Sequence, residues 1–130
     1  MKVSIAMATY NGAKNIEAQL QSFITQTHPP DELVVADDDS TDSTIDQLEA
    51  FAKYAPFPVI IVRNKKNLGY ARNFNVALEK TMGDLVFLSD QDDVWYPNKI
   101  AHILAQAKQK PNYLIYINDA DLTDGNLNPV

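Results

Sequence analysis

Four apolar residues run directly into three carboxylates in the stretch Leu85-Val86-Phe87-Leu88-Ser89-Asp90-Gln91-Asp92-Asp93-Val94-Trp95. A short continuous apolar run predicts a strand buried on both faces, as strands of parallel sheets are. The carboxylates of Asp90, Asp92 and Asp93 then follow the end of that strand. Because α/β folds bind ligands at the carboxyl edge of the sheet, the sequence places these three charges in a binding position.

The three carboxylates repel one another because they lie within four residues. At about 5 Å and an effective dielectric near 20, each like-charged pair costs roughly 3 kcal/mol. A divalent cation removes this cost, and the Asp-x-Asp pair of Asp90 and Asp92 supplies the hard oxygen ligands that Mg²⁺ or Mn²⁺ prefers. Taken alone, the motif is also compatible with a solvated acidic turn.

Length and composition are typical of one soluble globular domain. The chain has 130 residues, of which 45% are hydrophobic and 22% charged. No apolar run approaches the ~20 residues of a membrane span, no signal peptide is visible, and without cysteine there is no disulfide or thiol chemistry. These features predict a cytoplasmic protein. The net charge of −6 argues against nucleic acid as a partner, since phosphate contacts need a basic face.

Buried-strand patterns alternate with helical ones along the whole chain. We predict strands at 3–8, 33–36, 59–62, 85–88 and 113–117, and helices with apolar stripes at 16–24, 45–51, 71–78 and 100–107. Asp42 or Ser43 is predicted to cap the second helix, Gly83 to end the third, and Pro97 to lie in the first turn of the fourth. This alternation predicts one domain over residues 1–130 with a Rossmann-like three-layer α/β/α fold around a mostly parallel sheet.

Loops after parallel strands share one edge of the sheet, so three polar segments are expected to converge there. They are Thr9-Tyr10-Asn11, Asp37–Asp42 and Asp90–Asp93. Thr9 would contribute its backbone, whereas the Tyr10 ring would either stack on a planar base or pack over the first helix. Convergence from three places in the chain favours a ligand site over a simple acidic turn.

Other polar groups near this edge have narrower interpretations. Asp37 and Asp38 can accept hydrogen bonds from a ribose hydroxyl or a base imide, whereas Asp39, Ser40 and Asp42 suit turn and capping roles. Arg72, beside the 65–69 loop, is the candidate partner of a diphosphate, whereas Lys65 and Lys66 suit a solvated surface. Trp95 and Tyr96 would either wall the pocket or seal the core above the strand, and we favour the core. No glycine-rich dinucleotide motif or P-loop is present, so a diphosphate would have to be held by a metal.

Four segments, in order and at matching spacing, resemble the family 2 glycosyltransferases. They are Val3–Gly12 (VSIAMATYNG), Glu32–Thr44 (ELVVADDDSTDST), Asn67–Asn73 (NLGYARN) and Phe87–Trp95 (FLSDQDDVW). The resemblance implies an inverting enzyme with the GT-A nucleotide-sugar-binding fold. Phe87–Trp95 is particularly similar to bacterial rhamnosyltransferase-type members that build surface polysaccharide of the cell envelope.

The resemblance also implies roles for matched residues. Tyr10 would stack on the nucleobase of a UDP- or dTDP-sugar, Asp38 would hydrogen-bond that base, and Asp90 would contact the ribose or the metal. Asp92 would bind the Mn²⁺ or Mg²⁺ that bridges the diphosphate and acts as a Lewis acid on the leaving group. The implied nucleotide-sugar set is Thr9, Tyr10, Asp38, Gly69, Arg72 and Asp90, and the implied metal set is Asp90 and Asp92.

The chain departs from the family pattern in three respects. Asp39 stands where Gly is common, and Ala8 stands where Pro or Thr is common. An inverting transfer needs a general base, which the family carries in a later segment, beyond Val130; Asp119 and Asp121 receive no such role. We therefore expect the N-terminal donor-binding portion of a longer enzyme that transfers sugar to a glycan or lipid-linked acceptor, with the full-length protein peripheral at the inner face of the membrane.

Two other functions are compatible with part of the pattern. A phosphorylatable receiver-type switch domain has a similar size, acidity and βα alternation. It would need paired acids after the first strand, an acceptor Asp after the third and a Lys after the fifth, where this chain has Thr9-Tyr10-Asn11, Arg63-Asn64 and Asn118-Asp119. The other alternative is a nucleotide-binding module that transfers nothing.

Overall fold

Four parallel strands form the centre of the structure, a computed structural model that describes residues 1–130. The elements are β1 (Val3–Thr9), α1 (Ile16–Ile24), β2 (Glu32–Asp37), α2 (Thr44–Ala52), β3 (Val59–Arg63), α3 (Tyr70–Glu79), β4 (Leu85–Ser89) and α4 (Lys99–Gln109). The strand order is β3-β2-β1-β4, and every neighbouring pair is parallel. The predicted Rossmann-like α/β fold is therefore confirmed.

The two faces of the sheet are covered unequally. The larger core joins alternate residues of the strands, among them Ile5, Leu33 and Phe87, to the apolar stripes of α1, α2 and α4. The other face is covered by α3, where Ala77 packs on the small residues Ala6 and Ala36. The longest helix, α4, has 11 residues, fewer than a bilayer crossing needs.

The aromatic residue that follows the acidic segment closes the larger core. Trp95 is buried and meets Phe23 edge-to-face at 4.8 Å between ring centroids and Phe87 at 5.6 Å. The core prediction is therefore confirmed for Trp95. It is wrong for Tyr96, whose side chain is 64% exposed.

The predicted fifth strand is absent. Residues 113–117 form no ladder, and Leu114 and Ile117 are 96% and 90% exposed. Only the partly buried Tyr116 packs against the larger core. Apolar and aromatic composition makes a strand only where another strand supplies the ladder, and β4, an edge strand, pairs with β1 alone.

Two predictions about α3 and its end are also wrong. Its buried residues are Asn73 and Ala77, whereas Ala71 and Leu78 of the predicted stripe are exposed. The helix ends at Glu79, and Gly83 lies beyond it, where the chain passes close to Ser4. A Cβ at residue 83 would lie 2.4 Å from Ser4 Oγ, so this glycine is required by proximity rather than by a capping conformation.

The starts of α2 and α4 agree more closely with the sequence. Asp42 Oδ1 accepts the Thr44 amide at 2.9 Å, so Asp42 satisfies a free N–H of the first turn, whereas Ser43 makes no capping bond. Pro97 lies in the turn that leads into α4, two residues before its first residue, Lys99.

Candidate functional site

A cleft of about 400 Å³ opens at the carboxyl ends of β1, β2 and β4, beside the start of α3. It is lined by Ala8, Thr9, Tyr10, Asp38, Asn67, Gly69, Tyr70, Asn73, Asp90, Gln91 and Asp92. The predicted convergence of three polar segments is therefore confirmed. A fourth segment, residues 67–73, also lines the cleft and forms one of its walls.

The loop between β1 and α1 is held by side chains from two other loops. Asn11 adopts a left-handed conformation, with φ of 46°. Four successive amides, those of residues 10–13, each donate to a side chain distant in sequence. The acceptors are Gln91 Oε1, Ser40 Oγ, Thr44 Oγ1 and Asp42 Oδ2, at 2.9, 2.9, 2.9 and 3.1 Å. The position of Tyr10 is thus fixed by its backbone, while its ring stays 49% exposed at the cleft.

Asp37 and Asp38 are adjacent in sequence but serve different parts of the site. Asp37 is fully buried, and its carboxylate accepts bonds from the hydroxyls of Thr9 and Ser40 and from the Ser40 amide, at 2.6 to 2.9 Å. These bonds hold Thr9, itself 1% exposed, so that only a small part of this residue meets the cleft. Asp37 is a structural group and does not line the cleft.

Asp38 organises the 67–69 wall and faces the cleft. Its Oδ1 accepts the Leu68 amide at 2.7 Å and Asn64 Nδ2 at 3.0 Å, and its Oδ2 accepts the Gly69 amide at 2.9 Å. A carboxylate has about four acceptor positions, so Oδ2 keeps one for a ligand. Gly69 has φ of 87°, a conformation that favours glycine, and α3 begins directly after it.

Asn73 is a site residue that the sequence analysis missed. It is 1% exposed, and its Nδ2 donates to the carbonyls of Thr9 and Ala36 at 3.3 and 2.8 Å. Its Oδ1 accepts Asn64 Nδ2, which also donates to Asp38. The sequence signal for Asn73 was a polar residue four positions before Ala77, which places it on the face of α3 that packs on the sheet.

The aspartates in the segment after β4 differ from Asp37 and Asp38, because their side chains accept no hydrogen bonds from the protein. The side chains of Asp90, Asp92 and Asp93 accept none of the hydrogen bonds in the structure; only the Asp90 backbone carbonyl accepts one, from Ser89. Loss of hydration raises the pKa of Asp90, and the charges of Asp93 and then Asp92 raise it further. Asp90 and Asp92 line the cleft, whereas Asp93 does not.

The donor set fits a hard divalent cation that is shared with a ligand. No group of three or more metal-ligating side chains comes together in the chain. Asp90 and Asp92 therefore offer two carboxylates, and Mg²⁺ is commonly held by one or two carboxylates together with substrate phosphates and water. Burial and the charges of Asp93 and Asp92 raise the pKa of Asp90, and no basic side chain lines the cleft to offset them.

No cation of the protein itself enters the cleft. Its charged residues are Asp38, Asp90 and Asp92. Arg72 is exposed on α3 and lies outside the lining, and Lys65 and Lys66 are exposed as well. The structure therefore brings together all the predicted site residues except Arg72.

The chain belongs to glycosyl transferase family 2, whose sequence profile matches residues 4–128. It is 38% identical over 104 residues to a dTDP-rhamnosyl transferase of Shigella flexneri, covering 75% of this chain and 35% of the relative. It is 35% identical over 98 residues to an Escherichia coli UDP-Glc:alpha-D-GlcNAc-diphosphoundecaprenol beta-1,3-glucosyltransferase, covering 75% and 38%. The chain thus spans little more than a third of the length of these relatives.

Solved structures show the same fold. S. aureus TarS in complex with UDP has a TM-score of 0.78 and 30% identity, over 85% of this chain and 33% of that one. The mannosyltransferase PcManGT from Pyrobaculum calidifontis, in complex with GDP-Man and Mn²⁺, has a TM-score of 0.76 and 30% identity, over 82% and 32%. The fold is that of the GT-A glycosyltransferases, and the receiver-type alternative is left without support.

Proposed function

We propose that this chain is the donor-binding portion of a longer inverting glycosyltransferase, and that its cleft binds a nucleoside diphosphate sugar together with Mn²⁺ or Mg²⁺. One observation carries the proposal: the cleft contains three carboxylates and no basic side chain. An anionic diphosphate would be repelled by such a surface. A divalent cation on Asp90 and Asp92 changes the sign of the interaction, because it attracts both the carboxylates and the phosphate oxygens.

The two ends of the cleft have different tasks in this proposal. Tyr10 and Asp38 form the nucleoside end, where the exposed ring stacks on the base and the remaining acceptor position of Asp38 Oδ2 takes a base N–H. Thr9 and Gly69 shape this end through their backbones. Arg72, exposed on α3, would reach the diphosphate from outside the lining.

Asp90 and Asp92 form the diphosphate end. When bound there, the cation stabilises the negative charge that develops on the departing nucleoside diphosphate. Asp90 keeps a second proposed contact, with the ribose. The general base that removes the acceptor proton is assigned to a segment beyond Val130, so we propose that these 130 residues bind donor without rapid transfer.

The acceptor class follows from the relatives. One relative is named as a dTDP-rhamnosyl transferase, and another acts on a diphosphoundecaprenol-linked sugar. We propose a glycan or lipid-linked acceptor in bacterial envelope polysaccharide synthesis, and a full-length protein that is cytoplasmic and docks at the inner face of the membrane. A UDP- or dTDP-sugar is the proposed donor.

Calorimetric titration of UDP, dTDP and GDP, each with Mn²⁺ and with EDTA, tests the proposal. We expect binding only with metal, and the nucleotide that binds most tightly identifies the donor class. Asp92→Ala should weaken metal-dependent binding about 100-fold, because it removes half of the carboxylate donor set. Glu49→Ala is the matched control, since it removes the same charge at an exposed position of α2 outside the lining, and should change affinity less than about threefold.

Two results would contradict the proposal. One is an Asp92→Ala variant that binds nucleotide as tightly as the parent, with the same metal dependence. The other is nucleotide binding that persists unchanged in EDTA. A release assay for free sugar in water, without acceptor, tests the assignment of the base, and rapid turnover there would show that the base lies within these 130 residues.

A further inference from the structure

Gln91, between the two cleft aspartates, makes a paired contact with the backbone of Tyr10. Its Oε1 accepts the Tyr10 amide at 2.9 Å, and its Nε2 donates to the Tyr10 carbonyl at 3.0 Å. A primary amide carries an acceptor oxygen and a donor nitrogen, so one Gln side chain can serve the N–H and the C=O of a single residue at the same time. The contact joins positions that are 81 residues apart in the chain.

Gly12 provides the space in which the Gln91 side chain lies. A Cβ at residue 12 would be 2.3 Å from Gln91 Oε1 and 2.6 Å from its Cδ, closer than real side chains approach. No positive φ requires glycine at this position, since Gly69 is the only glycine with one. A side chain at residue 12 would therefore force Gln91 out of its contact with Tyr10.

The contact between Gln91 and Tyr10 lies beyond the end of the β1–β4 ladder, where strand pairing no longer connects the loop after β1 to the loop after β4. The β1–β4 ladder ends at the pair Met7 and Ser89. Beyond it, the amides of residues 11–13 bond to the loop after β2 and to Thr44 at the start of α2, and Tyr10 alone in this run bonds to the loop after β4. Gln91 thus fixes Tyr10 relative to Asp90 and Asp92.

We infer that Gln91 is a positioning residue that sets the spacing between the base-stacking ring of Tyr10 and the metal carboxylates Asp90 and Asp92. The inference rests on the proposed function, in which one donor molecule occupies both ends of the cleft. A ligand that must satisfy two ends at once gains affinity when their spacing is preset, whereas a ligand that uses one end gains nothing. Gln91 therefore acts on the nucleotide–metal complex and not on the metal alone.

The experiment separates these two kinds of ligand. Binding of Mn²⁺ alone is measured from the electron paramagnetic resonance signal of the free ion, and binding of UDP or dTDP at saturating Mn²⁺ is measured by calorimetry. In Gln91→Ala we expect nucleotide affinity to fall about tenfold and Mn²⁺ affinity to change less than twofold. Gln109→Ala, an exposed glutamine at the end of α4, is the matched control and should behave as the parent.

Two further variants sharpen the assignment. Gly12→Ala should displace the Gln91 side chain and reproduce the nucleotide effect, and the double variant should lose no more than either single one, because both remove one contact. Gln91→Glu keeps an acceptor for the Tyr10 amide but places a carboxylate against the Tyr10 carbonyl. It should bind Mn²⁺ more tightly and nucleotide more weakly, a combination that mere loss of fold stability would not produce. If Gln91→Ala does not fold, Gln91→Glu provides the test of the positioning role in its place.

The outcomes are distinct. Parent-like nucleotide binding in both Gln91 variants, or an equal fall of Mn²⁺ and nucleotide affinity in Gln91→Ala, overturns the positioning role and leaves the proposed function standing. Additive losses in the double variant overturn the assignment of Gly12. A parent chain that binds no nucleotide with Mn²⁺ overturns the proposed function and this inference together.

Discussion

Two acidic loops at the same edge of the sheet, one after β2 and one after β4, have opposite electrostatics. In the first, Asp37, Asp38 and Asp42 each accept several hydrogen bonds from amides and hydroxyls. In the second, Asp90 and Asp92 accept none with their side chains. The hydroxyl and amide of Thr44 help to lower the pKa of Asp42, whereas burial and like charge raise that of Asp90.

The difference shows which acidic cluster in this chain builds the fold and which is available to a ligand. Hydrogen-bonded carboxylates are satisfied within the protein, and removing one leaves buried donors without partners. Exposed carboxylates that accept no hydrogen bond from the protein stay available to water or to a bound cation. Clustered aspartates in a sequence therefore indicate a cation site only when local donors are missing.

Alanine substitutions in the two loops should give the largest contrast. Asp37→Ala leaves the Thr9 hydroxyl and both Ser40 donors without partners, and should lower the free energy of unfolding by about 3 kcal/mol or more. Asp93 accepts no hydrogen bond, and its favourable charge interaction with Lys99 lies at the surface, so Asp93→Ala should change the free energy of unfolding by less than about 1 kcal/mol. Urea unfolding measures both. Equal losses would mean that the two loops do not differ in the way described.

Asp42→Ala should have a smaller effect within the first loop. It removes the acceptor of the Thr44 and Ala13 amides, and a lost cap typically costs about 1 kcal/mol. Because the pKa of Asp42 is lowered in the folded chain, its contribution is present above the ordinary pKa and disappears as pH falls through the lowered value. Urea unfolding at pH 7 and pH 3 measures this, with the exposed Glu49→Ala as control. A pH-independent loss would exclude the charge as its cause.

Asp90→Asn should act in the opposite direction. The raised pKa of Asp90 means that its ionised form destabilises the metal-free fold above that pKa, and that the penalty vanishes as pH falls below the ordinary value. The variant should therefore be more stable than the parent at pH 7, by less than about 1 kcal/mol at this solvent-accessible site, and equal to it near pH 3. Mn²⁺ should raise the melting temperature of the parent more than that of the variant. A variant that is less stable than the parent without metal would contradict the comparison.

Asp39→Gly should give the smallest change. Asp39 has φ of 62°, in the left-handed region, at the position where the resembled family commonly has Gly. Glycine adopts this conformation without strain but loses more backbone entropy, so we expect a gain of about 0.5 kcal/mol or less. Thermal unfolding beside Asp46→Gly, in the first turn of α2, provides the control, since that variant loses helix propensity and a negative charge near the helix N-terminus and should be destabilised by about 1 kcal/mol.

The sequence predicted where the site lies, but it did not predict which aspartates stabilise the fold and which face the cleft. Strand and helix periodicity located the carboxyl edge of the sheet, because burial leaves a pattern along the chain. Local pattern does not distinguish Asp37 from Asp38; the family resemblance assigned the base contact to Asp38, and the fold shows that Asp37 bonds Thr9 and Ser40 while Asp38 bonds the 67–69 wall.

Residues whose hydrogen-bond partners are distant in the chain could not be identified from local sequence patterns. Gln91 and Asn73 bond to backbone groups 81 and 64 residues away, a relation that no local pattern encodes. The strand predicted at 113–117 failed for a similar reason, since a strand is defined by its neighbour as much as by its own residues.

The outer edge of β4 affects how the isolated chain behaves in concentrated solution. This strand has a neighbour on one side only, its own residue Leu88 is 58% exposed, and Leu114 and Ile117 add further apolar surface. An open apolar edge can pair with another copy, and only the net charge of −6 opposes that approach. Added salt screens this repulsion, and acidification toward the isoelectric point near 4.7 abolishes it. The chain should therefore be most soluble at low ionic strength and neutral or higher pH.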